Sequence, residues 1–222
     1  MKLRTIRNMA VALFLLHFIF SNYHLAASVK AALNAGPSEV AAYSGEPNLN
    51  RDDWHSEKTI NGMAAEVAGE AQTPDGPAKV TLSFECTPGK GGTNSVVFVV
   101  LGATKLKGFD FDNFEGPDAP ASAKPLVTFT VHRTSGADVV VKTTASGSYT
   151  VTDQGFAFEV STAANAREGK VAQLADAIAR GGASISVRVQ GFKDPQKTIQ
   201  VTFSTAGAAE VVSQAMKACS KR

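Results

Sequence analysis

Histidine, cysteine and tryptophan are scarce in this chain: four, two and one among 222 residues. His17 and His24 fall within the first 27 positions, so only His55 and His132 remain beyond them. A zinc site takes three or four ligands at helix or hairpin spacing, and two isolated histidines without free cysteines do not supply one. There is no Cys-x-x-Cys, which argues against thiol-redox chemistry. Gly-x-Ser-x-Gly and Ser-x-x-Lys are also missing. A convergent Ser–His–acid site leaves no motif, however, and His132 can serve in one. Gly89-Lys90-Gly91-Gly92-Thr93 lacks the spacing of a phosphate loop and leads into a β run. No Gly-x-Gly-x-x-Gly follows a strand. The expectation is therefore no metal and no cofactor.

An excess of one charge sign is lacking as well. Taking the three basic residues of positions 1–27 from the 22 Lys and Arg leaves 19 against 20 Asp and Glu, a net of −1. Nucleic acid is thus not an expected partner. Spanning-length apolar runs are absent too. The longest, Met9 to Phe20, is interrupted by His17 and falls short of the roughly 20 residues a membrane helix needs. It follows Lys2, Arg4 and Arg7 and precedes the small residues Ala26, Ala27 and Ser28. That order describes a secretory signal peptide at 1–27, cut after Ala27 or alternatively after Ala31. The expected location is periplasmic or secreted.

Residues 28–53, rich in Ala, Asn, Pro and Gly, bury too little to offset their ordering entropy and read as a flexible arm. Trp54 anchors a single β-rich domain over 54–222. Val80, Leu82, Phe84 and Cys86 alternate with polar residues as a half-buried strand, and a turn follows at 87–92. Ser95 to Leu101 is a buried strand. Leu126–Val131 and Asp138–Lys142 form a hairpin about Ser135-Gly136. Tyr149 and Val151 pair with Phe156, Phe158 and Val160 about Asp153-Gln154-Gly155. Ile185, Val187 and Val189, then Ile199, Val201 and Phe203, complete the strands. Ala166 to Arg180 is helical, with Val171, Leu174 and Ile178 on one stripe and Gly181 as the stop. A second helix, capped by Ser204 or Thr205, runs to about Ala218 with the stripe Val212, Met216 and Cys219. Together these predict a mostly-β fold: an antiparallel β-sandwich or flattened barrel with two short helices, one C-terminal.

Both cysteines face the core, and an oxidising compartment favours their pairing, so Cys86–Cys219 is the expected disulfide. Closing a loop of 133 positions stabilises by about 4–5 kcal/mol.

Between Phe109 and Asp118, Phe109, Phe111 and Phe114 alternate with Asp110, Asp112, Glu115 and Asp118. Clustered oxygen ligands suit calcium, so these four acids are the candidate ligand loop. Glycine and glutamate do not occupy the positions an EF-hand needs. The plainer reading, a half-buried strand with Phe inside and carboxylates outside, is preferred.

The order of elements resembles the bacterial type VI secretion-associated TagO/VasI-like envelope proteins. Three stretches carry the likeness: Leu82-Ser83-Phe84-Glu85-Cys86; Gln173-Leu174-Ala175-Asp176-Ala177-Ile178 before the Ser184–Val189 strand; and Thr198-Ile199-Gln200-Val201-Thr202-Phe203 followed by Gly207, Val211, Met216 and Ala218-Cys219. Similar tails occur in sandwich proteins that resemble invasion-associated locus B. The resemblance implies a non-catalytic envelope accessory. The expected function is accordingly that of an exported envelope binding protein, its partner another envelope protein or a glycan. The alternative is an envelope hydrolase or glycan-active enzyme with a convergent site.

Overall fold

Ten strands account for about half of the residues described by the computed structural model, which are 53–59, 62–88, 92–151, 153–163 and 169–220. They are β1 (His55–Thr59), β2 (Gly62–Thr73), β3 (Gly76–Thr87), β4 (Thr93–Val100), β5 (Val127–Arg133), β6 (Val139–Thr143), β7 (Ser146–Tyr149), β8 (Phe156–Ala163), β9 (Gly182–Gln190) and β10 (Thr198–Ser204). Two α-helices join them, α1 (Lys170–Ala179) and α2 (Ala208–Ser220). The expected signal peptide and the arm up to residue 52 lie outside the described residues. So do residues 89–91 of the expected turn and 166–168 of the expected first helix.

The strands form one sheet in the order β6-β5-β9-β10-β2-β3-β4-β8-β7, with β1 on the outer edge of β2. Every ladder is antiparallel, and the sheet curls into a half-barrel. Of the two architectures expected, the flattened barrel is the nearer. The alternation of β-branched and aromatic residues causes the curl's inner face. Val80, Leu82 and Phe84, Val96, Phe98 and Val100, and Ile185, Val187 and Val189 are all fully buried there. Helix α1 spans the concavity, touching β5, β6 and β9 on one arm and β4 and β8 on the other. Its stripe Val171, Leu174 and Ile178 is buried, and Gly181 ends it at φ 96°, where a β-carbon would be strained. Helix α2 packs on β2, β3 and α1 through Val212, Met216 and Cys219. The Cys86–Cys219 disulfide is formed, joining the end of β3 to the last turn of α2. Trp54 is buried, donates its indole N–H to the Ser204 carbonyl at 2.7 Å and leans on Phe84. Among the described residues no helix is long and apolar enough to cross a membrane.

Three local expectations are corrected. The Ser204 and Thr205 hydroxyls do not cap α2. Ser204 accepts the Ala206 amide, Thr205 donates to the Gly182 carbonyl, and the helix begins only after Gly207. The expected strand at Tyr149 and Val151 instead lies at 146–149, and Val151 is 97% exposed. Residues 109–118 are not a strand. They belong to the long β4–β5 connection, which makes a 3₁₀ turn at Phe111–Phe114. The inside–outside split expected there does hold: Phe109, Phe111 and Phe114 are buried. Finally, β1 and β2 are strands that no separate expectation covered.

Candidate functional site

The three buried phenylalanines anchor the β4–β5 connection to the sheet. Phe158 sits at the centre, within 5.2 Å of Phe114, 6.1 Å of Phe111 and 6.4 Å of Phe109 between ring centroids. Backbone bonds strap the connection to the β7–β8 turn, Gly102 N–H to the Asp153 carbonyl and Thr104 N–H to that of Gln154, both 3.2 Å. The Gly108 amide donates to Asp75 in the β2–β3 turn at 2.6 Å. A loop held in this way presents its polar residues in fixed positions.

Those residues line a cleft of about 410 Å³ between the connection, Tyr149 and the β9–β10 turn. Three lysines (Lys107, Lys193, Lys197) and three aspartates (Asp110, Asp112, Asp194) face it. Lys193 and Asp110 pair at 2.8 Å. The Tyr149 hydroxyl donates to Asp112 at 2.7 Å. Burial first, and then this hydrogen bond and the nearby carboxylates, push the phenol up to about 12. Tyr149 therefore acts as a donor and not as a base. Phe192 forms the opposite wall, with the Lys124 ammonium 4.4 Å from its ring centroid.

The four acids singled out in the sequence separate here. Asp110 and Asp112 enter the cleft in the pairs just described. Glu115 is exposed and bridges to Gly147 through its backbone, and Asp118 is exposed. They do not converge on a common ion position: among the described residues the one such group is His55, Glu57 and Glu66.

A second cleft, of about 670 Å³, adjoins the first at Lys197, which lines both. It follows the seam where β10 meets β2 through the single pair Gln200–Gln72. Gln72, Thr73, Gln196, Gln200 and Thr202 make its lining largely uncharged and hydrogen-bonding.

His132 lies on the outer face of β5 and itself lines neither cleft. Its Nδ1 lies 2.7 Å from Asp138 Oδ2 and its Nε2 3.0 Å from Ser186 Oγ. This is the order of groups in a Ser–His–Asp triad. The hydrogen bond from His132 holds the Asp138 carboxyl below its ordinary range. Ser186 Oγ is also 2.7 Å from Thr202 Oγ1. What the arrangement lacks is surroundings. β9 lies between β5 and β10, so its backbone N–H groups are spent in ladders, and none is aimed at a developing oxyanion. His132 and Asp138 are about two-fifths exposed. Nothing in the sequence marks these three residues as neighbours, since cross-strand diagonals leave no spacing to read. Comparison with family models, with curated proteins and with solved structures gives no match for this chain.

Proposed function

We propose that the mature chain is an exported, non-catalytic envelope protein that binds a glycan strand along the two joined clefts. The observation that carries this reading is their composition. An aromatic wall and balanced charges lie at one end, and a run of amides and hydroxyls continues along the seam. Sugars have apolar faces and many neutral hydroxyls, and such a lining answers both. Export is supported by the basic-apolar-small order of the first 27 residues and by the disulfide, which persists in oxidising compartments. The likeness of residues 80–219 to TagO/VasI-like envelope proteins supports the same location. The test is co-sedimentation of residues 28–222 with purified cell-wall glycan, alongside Tyr149→Ala and Gln200→Ala. Saturable retention that both variants weaken is expected. No retention, or retention that neither variant changes, refutes the reading.

One observation favours a second reading, a serine hydrolase: the Ser186–His132–Asp138 geometry. Covalent labelling by a fluorophosphonate probe, lost in Ser186→Ala and His132→Ala, would establish it. An unlabelled wild-type protein would end it.

A further inference from the structure

The sequence offers no zinc pattern, but the pairing of β1 with β2 assembles one. The register sets His55 opposite Glu66 and Glu57 opposite Ala64. Side chains two apart on a strand share a face, and directly opposed residues have β-carbons about 4.5–5.5 Å apart. His55, Glu57 and Glu66 therefore meet on one face, and a ligating atom from each lies within 4.8 Å of the others.

Three features make this a coordination set and not a chance grouping. His55 Nδ1 is 3.3 Å from the Asp53 carbonyl, an acceptor only, so the neutral imidazole that donates this hydrogen bond offers Nε2 to a metal. An outer hydrogen bond of this kind is what orients a metal-binding imidazole. Glu66 is 2% exposed, which places its carboxylate in a medium where attraction to a cation is stronger than in water. The same sheet face also carries Glu85 on β3, which sits opposite Ala64 on one side as Glu57 does on the other.

We propose that His55, Glu57 and Glu66 bind one divalent transition-metal ion of the zinc class, clamping the edge strand β1 to β2. One imidazole and two carboxylates suit such an ion better than calcium, which takes oxygen ligands alone. Two carboxylates neutralise its charge. His55 and Glu57 are only half-buried, so water can fill the remaining coordination positions. The site is independent of the glycan-binding reading.

The test is calorimetric titration of untagged, chelator-stripped residues 28–222 with Zn²⁺, followed by hydrogen exchange across residues 55–66. One equivalent is expected to bind, with slower exchange in β1. Affinity should fall at least about tenfold in His55→Ala and in Glu57→Gln, with His132→Ala unchanged. Glu57→Gln keeps side-chain size at a half-exposed position, so it reports on ligation even where His55→Ala perturbs folding. Absence of stoichiometric binding overturns the proposal. So does equal loss in the His55 and His132 variants, or full affinity in Glu57→Gln.

Discussion

Replacing both cysteines, Cys86→Ala with Cys219→Ala, should lower the melting temperature by about 10–20 °C while leaving the fold intact. The magnitude follows from the chain closure. The bridge spans 133 positions, and loop-closure entropy for that length amounts to about 5 kcal/mol at 25 °C. A domain of this size shifts by roughly 2–4 °C per kcal/mol. Folding should survive because the helix does not depend on the sulfurs alone. Ala208, Val212, Ala215 and Met216 of α2 remain buried against β2, β3 and α1. The assay is circular dichroism melting of both proteins at neutral pH, with and without reductant. Reduced wild type should approach the double variant. Amide exchange should rise first in α2, since the bridge holds the helix at its last turn. A loss below about 3 °C would refute the argument, because the denatured chain would then gain almost no freedom when the bridge is removed. A loss of helix and sheet together at low temperature would refute it in the other direction.

Phe158 holds the β4–β5 connection to the sheet, so Phe158→Ala should cost about 3–5 kcal/mol in a urea titration, and it should loosen the cleft. Gly147 lies against the Phe156 ring, where an added β-carbon would collide with it. Gly147→Ala should therefore destabilise by about 1–3 kcal/mol in the same titration. Asp112→Asn should lower the Tyr149 phenol from about 12 part of the way towards 10, read by ultraviolet titration of residues 28–222 in a Tyr43→Phe background. It should fall only part of the way, because burial is the larger cause. A raised folded-state value means that the stabilisation linked to this proton is complete below pH 10 and disappears as pH rises through 12. Asp112→Asn should flatten that alkaline decline.

The strands were legible wherever β-branched or aromatic residues alternate with polar ones, as in Val80 to Cys86 or Ile185 to Val189. β2 was not. Its buried apolar positions are Ala64, Ala65, Val67, Ala68 and Ala71, and alanine has little β preference of its own. The strand exists because β3 pairs with it along nearly its whole length, and that is a tertiary fact. The stretch 109–118 misled for a different reason. Phe109 to Phe111 is a step of two, as in a strand, but Phe111 to Phe114 is a step of three. In a 3₁₀ turn, i and i+3 eclipse, so Phe111 and Phe114 project together into the core. The change of step was the available signal. For the cleft, the aspartates were visible, but their partners Tyr149, at the end of β7, and Lys193, in the β9–β10 turn, are brought near only by the curled sheet.

Why the second cleft opens along β2 and β10 follows from one contact in the sheet. Elsewhere neighbouring strands zip over many residues, but these two meet through Gln200 and Gln72 alone. The Phe203 ring lies over Gly69, so close that a β-carbon there would sit 2.7 Å from Cε1. The ring packs on the sheet face in the space that a side chain at residue 69 would fill, and the indole of Trp54 donates to the Ser204 carbonyl beside it. Apolar packing thus lies at the inner end of the seam, while its outer end is polar. A groove formed in this way needs no rearrangement to admit a ligand. Its hydrogen-bonding lining is then available without the ordering cost that a mobile loop would impose.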